Sequence, residues 1–304
     1  APMGMCDLFW PGADKAMARV AREIELPLGV STMSSTTLEQ LFDLAGGNAW
    51  FQLYAGESDQ LTHNLVARAA STGYQALILT ADVPALAPRQ RDLRNGFKVP
   101  FRIGPKQALD FACHPQWTLA TLKNGRPKFR NINSVSKNVT VGTRVGQFRR
   151  EAGRGHFDWN FLRELRAQWP HKLILKGVMC AEDAHNAVDA GADAVYVSNH
   201  GGRQLDSAPA AISMLPLIRE ALGPEYPIVF DSGVRSGEDI VRTLASGAGF
   251  VMLGRPFLYA LGADGAGGLS QLLSLLMNEL STVMAQLGCT HPAQLDGAVR
   301  APPR

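Results

Sequence analysis

The sequence predicts an α/β fold, a (β/α)8 barrel, and three observations carry that reading. Short, continuously apolar runs alternate with amphipathic stretches from residue 26 onward. The runs end in polar side chains that a core would not choose, and the 304 residues match one barrel plus an insertion. With 46% hydrophobic and 19% charged residues, the composition is that of a globular chain and not of a disordered or fibrous one. Residues 1–304 are therefore expected to form a single domain, with an insertion at about 95–157.

The elements follow in order. Residues 1–12 (APMGMCDLFWPG) read as a loop and 13–24 as a helix with no strand before it. A strand upstream of Ala1 is expected to supply the first βα unit. Seven runs then read as strands: 26–30, 49–54, 76–82, 173–178, 194–199, 227–233 and 250–254. Unbroken apolar runs are the mark of strands covered on both faces, as in a parallel sheet. Between them, 58–72, 159–168, 181–190, 210–222 and 236–246 have helical periodicity, and 269–288 is a long apolar-rich helix. That last helix either finishes the core or buries against another subunit.

One interval breaks the alternation. Residues 95–157 are too long for an ordinary βα loop, and 101–157 hold eleven Lys and Arg against two acids. Since the whole chain carries only +3, the remainder sums to about −6. The segment is either a solvated basic excursion or a surface that docks on anionic headgroups. The overall charge is too small to imply a nucleic-acid partner. The four scattered cysteines, Cys6, Cys113, Cys180 and Cys289, form no paired motif and read as free thiols of a reducing compartment. No uncharged run is long enough to cross a bilayer.

Chemistry in such a barrel gathers at the carboxyl ends of the strands. Here those ends carry Ser31-Thr32, Gln52 and Tyr54, Thr80 and Asp82, Lys176, Ser198-Asn199-His200, Asp231-Ser232-Gly233 and Gly254-Arg255. Single polar ends are helix caps; a convergent ring of seven is a site. DSGVRSG (231–237) and Gly254-Arg255-Pro256, on the last two strands, combine glycine, arginine and a helix start, the requirements of a phosphate cradle. No Rossmann or P-loop motif is present. Lys176 ends an apolar run and so needs a charge partner, either an Asp or Glu or an anionic cofactor. His200 follows a strand, precedes two glycines and has Arg203 three residues on. A general base, room for a ligand and a fork for a carboxylate thus share one loop, with Asp82 available to fix the imidazole tautomer. No His or Cys cluster supports a metal site.

SNHGGRQLD (198–206), together with FQLY (51–54), LTADVP (79–84), LKGV (175–178), DSGVRSG and LGRP, resembles the FMN-dependent L-2-hydroxy-acid dehydrogenases and oxidases. The resemblance runs through the chain and weakens in 101–157. It implies FMN as cofactor and oxidation of an L-2-hydroxy acid to the 2-keto acid. In that pattern His200 is the base and Asp82 its partner, Arg203 and Arg89 hold the substrate carboxylate, and Tyr54 donates a hydroxyl. Pro2, Met3, Gly4, Ser31, Gln52, Thr80, Lys176 and Ser198 match positions around the flavin ring and ribityl chain. Asp231, Gly233, Arg235, Gly254 and Arg255 match the ribityl-phosphate cradle. Lys176 would then stabilise negative charge on the reduced flavin.

Two departures stand out. The family carries further residues before APMG, including the first barrel strand and a second substrate-pocket tyrosine. Met33 stands where some relatives carry a bulky aromatic, so the pocket is expected to admit more than glycolate. Gly4, where oxygen-reactive relatives often carry Ala, favours a quinone or another electron carrier as acceptor. CHPQWTLATLKNGRP (113–127) is similar to respiratory lactate dehydrogenases and WPHKLILKG (169–177) to mandelate dehydrogenase. L-lactate is the first expectation and (S)-mandelate the second. The resemblance also implies a homo-oligomer in the cytoplasm, with peripheral contact to the inner membrane face through 101–157. The alternatives are an oxygen-using oxidase and a non-catalytic barrel remnant.

Overall fold

The computed structural model describes residues 1–55, 59–85, 87, 90–96, 103–125, 127–133 and 158–295. Seven strands, β1 (Leu28–Ser31), β2 (Ala49–Leu53), β3 (Ala76–Thr80), β4 (Lys172–Val178), β5 (Ala194–Val197), β6 (Ile228–Phe230) and β7 (Phe250–Val251), pair in that order, every pair parallel. Parallel neighbours need a crossover, and the helices supply it: α1 (Ala13–Glu23) packs under β1, and α2 (Leu38–Leu44) and α3 (Asp59–Thr72) link β1 to β2 and β2 to β3.

Alternation along each strand divides the core in two. Leu77, Leu79, Leu173, Leu175, Val195, Val197, Ile228 and Phe230 face the helices, while Ala76, Ile78, Ile174, Ala194, Tyr196, Val229 and Met252 face one another. That inner cluster draws on β3 to β6 and the residue after β7, and Trp50 of β2 meets Phe250 of β7 at 5.2 Å between ring centroids. Strands far apart in the pairing order touch because the sheet curls into a barrel. Ala1–Met3 lie in the seam between its two ends: Met3 pairs parallel with Val30, and the Ala1 amine donates to Leu253 O at 2.6 Å.

Besides strand ends that shift by a few residues, two helices differ from the sequence reading. α2 escapes the pattern because seven residues are only two turns; its start is set by the Thr37 hydroxyl, which accepts from Gln40 N. The final helix begins at Arg255 and not near 269, running to Gln286 with a break at Asp264 and Gly265. Within GADGAGG, Gly268 is there for close packing, since a Cβ would run into Ala260 O, and Gly265 takes a positive φ at the break.

In the insertion the described part holds helices at Gln90–Arg94, Pro105–Cys113, Pro115–Asn124 and Arg130–Asn133, numbered α4 to α7. The second and third of these bury no residue. Asn131, by contrast, is wholly buried. Its side chain accepts from Leu38 N and donates to Ser34 Oγ, Ser31 O and Thr32 O, so the insertion returns to the barrel on the loop after β1. The remaining helices are α8 (Trp159–Gln168), α9 (Ala181–Asp189), α10 (Ala211–Leu222), α11 (Gly237–Ala245) and α12 (Arg255–Gln286).

Candidate active site

Parallel strands bring their carboxyl ends to one rim. There Ser31, Gln52, Thr80, Lys176, Ser198 and Asp231 are all buried. Buried polar groups need partners, and these form two connected chains. In the first, Ser31 Oγ donates to Gln52 Oε1 at 3.0 Å and Gln52 Nε2 donates to Thr80 Oγ1 at 2.9 Å, crossing three adjacent strands. Thr32 Oγ1 donates to Gln52 O and accepts from Tyr54 N, which fixes the end of β2.

The second chain is charged. Lys176 Nζ donates to Ser198 Oγ at 2.8 Å and lies 3.5 Å from Asp82 Oδ2 and 3.9 Å from Asp231 Oδ2. The ammonium therefore has carboxylate partners within the protein, one of the two possibilities the sequence left open. Burial alone would raise the Asp231 carboxyl. The Lys176 ammonium and the hydroxyls of Ser198, Tyr196 and Ser232 outweigh it and hold the acid below the usual carboxylate range.

His200 projects from the turn after β5 with its Nδ1 2.8 Å from Asp82 Oδ1; the two side chains are 16% and 12% exposed. Its backbone is left-handed, φ +57°. Asp82 comes this close to β4 because of Gly177, φ +102°, in the bulge between Lys176 and Val178: a Cβ there would sit 2.6 Å from Asp82 Cβ. Arg203 is exposed on the same loop, and Tyr54 is half-buried just after β2. Arg89 lies outside the described residues. Gly4 packs so closely on the loop after β1 that an added Cβ would be 2.7 Å from Met33 Cβ.

At the end of β6, Gly233 has φ +98° and open space where a Cβ would lie. The two helix starts beside it differ from expectation. α11 is already capped, Ser236 and Asp239 closing a reciprocal box, with Asp239 Oδ2 also accepting from Arg235 N at 2.8 Å. α12 starts after Gly254 with no side-chain cap and no acid in its first turn. The donors available to an anion are thus at Arg255, whose Nη2 also donates to Gly201 O at 2.8 Å, while Arg235 Nη1 donates to Val234 O.

This donor set fits FMN: alternating hydroxyls and amide for a ring edge, a buried ammonium, and two arginines with an uncapped helix start for the phosphate. Pro2 and Met3, which fill the seam, border the same rim, Met3 Sδ lying 3.3 Å from where a Cβ of Gly254 would be. Sequence reasoning missed Tyr196, which looks like one more apolar strand residue but donates to Asp231 Oδ2 at 2.8 Å. It also passed over Asn131 and gave Ser232 no role beyond its place in the ring of strand ends, because their importance lies in hydrogen bonds that no local pattern displays.

Comparison with known proteins agrees with this geometry. The model of the family described as FMN-dependent dehydrogenase matches residues 1–301. The chain is 40% identical over 290 residues to (S)-mandelate dehydrogenase of Pseudomonas putida, covering 95% of this chain and 72% of that one. It is 37% identical over 305 residues to an L-lactate dehydrogenase of Caulobacter sp. strain K31, covering 99% and 79%. A crystal structure of (S)-mandelate dehydrogenase, described as a monotopic membrane protein, superposes with a TM-score of 0.91 at 39% identity, covering 97% of this chain and 78% of that one. This chain therefore belongs to the FMN-dependent dehydrogenase family.

Proposed function

We propose that the chain oxidises an L-2-hydroxy acid to the 2-keto acid, with L-lactate the first substrate and (S)-mandelate the second. The observation that carries this reading is the Asp82–His200 pair, 2.8 Å apart beside buried Lys176 at the strand-end rim. FMN, when bound, supplies the two-electron acceptor. With Nδ1 committed to Asp82, His200 takes the substrate proton at Nε2, and the carboxylate stabilises the imidazolium that results. Arg203 and Arg89 hold the substrate carboxylate as bidentate forks, and Tyr54 adds a hydroxyl donor. Lys176 supplies the positive charge that balances electron density arriving at the cofactor.

Pro2, Met3, Gly4, Ser31, Gln52, Thr80, Lys176 and Ser198 would hold the ring and ribityl chain. Asp231, Gly233, Arg235, Gly254 and Arg255 would hold the phosphate end. Relatives named for lactate and for mandelate support both substrates, and Met33, packed on Gly4, would leave room for an acid larger than glycolate.

In this reading residues 1–304 are one barrel domain, and electrons leave to a quinone or carrier at a membrane surface. Ile103, Leu109, Leu119 and Leu122 are 58–74% exposed in the insertion, beside Lys106 and Lys123, which suits a cytoplasmic protein resting on the inner face. No helix among the described residues is long and apolar enough to cross a membrane. Exposed Leu275 and Met277 on α12 suit a homo-oligomer. The relative named 4-hydroxymandelate oxidase makes oxygen the competing acceptor. The test is an anaerobic absorbance titration. Bleaching of the flavin band by L-lactate or (S)-mandelate and not by the D-enantiomer supports the reading, and reoxidation by quinone or by air then assigns the acceptor. A flavin-loaded protein that no 2-hydroxy acid bleaches would overturn it.

A further inference from the structure

Ser232 adopts φ +86°, a region serine seldom enters, and His200 does the same at +57°. Two strained residues thus face each other across the ends of β5 and β6, and their hydrogen bonds interlock. Ser232 Oγ accepts from Asn199 N at 3.2 Å and Gly201 N at 3.0 Å, the amides on either side of His200, and donates to Asp231 Oδ1 at 2.9 Å. Ser198 Oγ accepts from His200 N at 3.1 Å and from Lys176 Nζ at 2.8 Å, and donates to the same carboxylate oxygen at 2.5 Å. Three consecutive peptide N–H groups are thereby bound by two hydroxyls. Both hydroxyls lie within hydrogen-bond distance of Asp231 Oδ1 and 3.4 Å from each other, so the two serines and the carboxylate form one closed cluster. Arg255 holds the next carbonyl, Gly201 O.

We propose that Ser232 is a positioning residue for His200: its hydroxyl transmits the anchorage of Asp231 to the 199–201 turn and keeps the imidazole in register with Asp82. A strained backbone persists only where its surroundings over-determine it, and Ser232 is the one hydroxyl that holds both flanking amides. The catalytic consequence rests on the role given to His200 under Proposed function; the structural one does not.

Two variants separate the possibilities. Ser232→Ala removes the hydroxyl and keeps the positive φ; Ser232→Gly removes the hydroxyl and relieves it, so strain cannot account for a loss common to both. The expected result in both is exchange of the Asn199 and Gly201 amides faster by roughly tenfold to a hundredfold, with β5 protection and flavin content unchanged. The ¹⁵N signals of the His200 ring, read across pH, should lose the single-tautomer pattern that a fixed Nδ1–Asp82 bond imposes. With whichever 2-hydroxy acid the wild type oxidises, kcat should fall about tenfold or more at nearly constant KM. Wild-type exchange at 199 and 201 in the glycine variant would overturn the proposal. So would loss of flavin and β5 protection together with activity, which would make Ser232 a general structural residue. If the wild type oxidises no 2-hydroxy acid, the proposed function fails, while the exchange and ¹⁵N measurements still decide for or against Ser232.

Discussion

Asp82 divides its two oxygens between two basic side chains, Oδ1 facing the His200 imidazole and Oδ2 facing the Lys176 ammonium. An amide in its place can still accept from the imidazole but carries no charge to offset the imidazolium. Asp82→Asn should therefore lower kcat by roughly a hundredfold or more while KM changes little, measured by steady-state kinetics with bound flavin confirmed by absorbance. An unchanged kcat would remove Asp82 from the chemistry. At this scale the sequence was most informative where chemistry dictates residue type. His200, Arg203 and Asp82 stood out because histidine, arginine and aspartate at strand ends have few structural uses. Tyr196 did not, because a tyrosine within a strand is ordinary, and Ser232 showed only as one polar residue in a ring of strand ends. Only the fold shows that both point at Asp231.

Strands and helices were legible from their apolar period, and their ends moved by a few residues because polar strand ends belong to the site and not to the ladder. What the period could not show is where one element must give way to another. The bulge in β4 is such a place: Gly177 clears the backbone path of Asp82. Gly177→Ala forces a Cβ to within 2.6 Å of Asp82 Cβ at a φ that alanine resists, and nothing flexible lies there to yield. The expected outcome is a loss of about 2 kcal/mol or more of stability in denaturant unfolding, together with a drop in kcat in the direction of Asp82→Asn. A fully stable, fully active alanine variant would show that the strand end has slack the structure does not display. The glycine-rich stretch inside α12 teaches the converse. Read locally it breaks a helix; in the fold the helix bends at Asp264 and Gly265 and continues, with Gly268 letting the two halves pack closely.

For the whole molecule, the charge that matters to stability is buried on the barrel's first helix. Asp14 is 4% exposed, and its carboxyl is pushed up to about 6 by burial first and then by Asp7, despite accepting from Ser35 N and Thr36 N. A raised acid stabilises the fold relative to the unfolded chain below its ordinary value of 3.8 and loses that contribution as pH rises through about 6. Asp14→Asn removes the titration. The stability of wild type minus variant should thus fall by about 3 kcal/mol between pH 4 and pH 7, measured by urea unfolding across that range. A difference independent of pH would contradict the assigned ionisation. Asp231 and Asp193, held low, work in the opposite sense and lose their contribution in acid.

The barrel and its parallel order were readable because seven runs repeat one pattern; the footing of the insertion was not, since it rests on Asn131 and Ile132 within a segment that has no periodic signal. That footing has a consequence for how such a chain can vary. The helices at 105–124 bury nothing, whereas Asn131 grips the loop after β1 through four hydrogen bonds. The two helices at 105–124 can therefore be recharged on their exposed faces while Ser31 and its neighbours stay in place. The described part of the insertion thus divides into exposed helices that touch little and a short anchor at Asn131 and Ile132 that ties it to the strand-end rim.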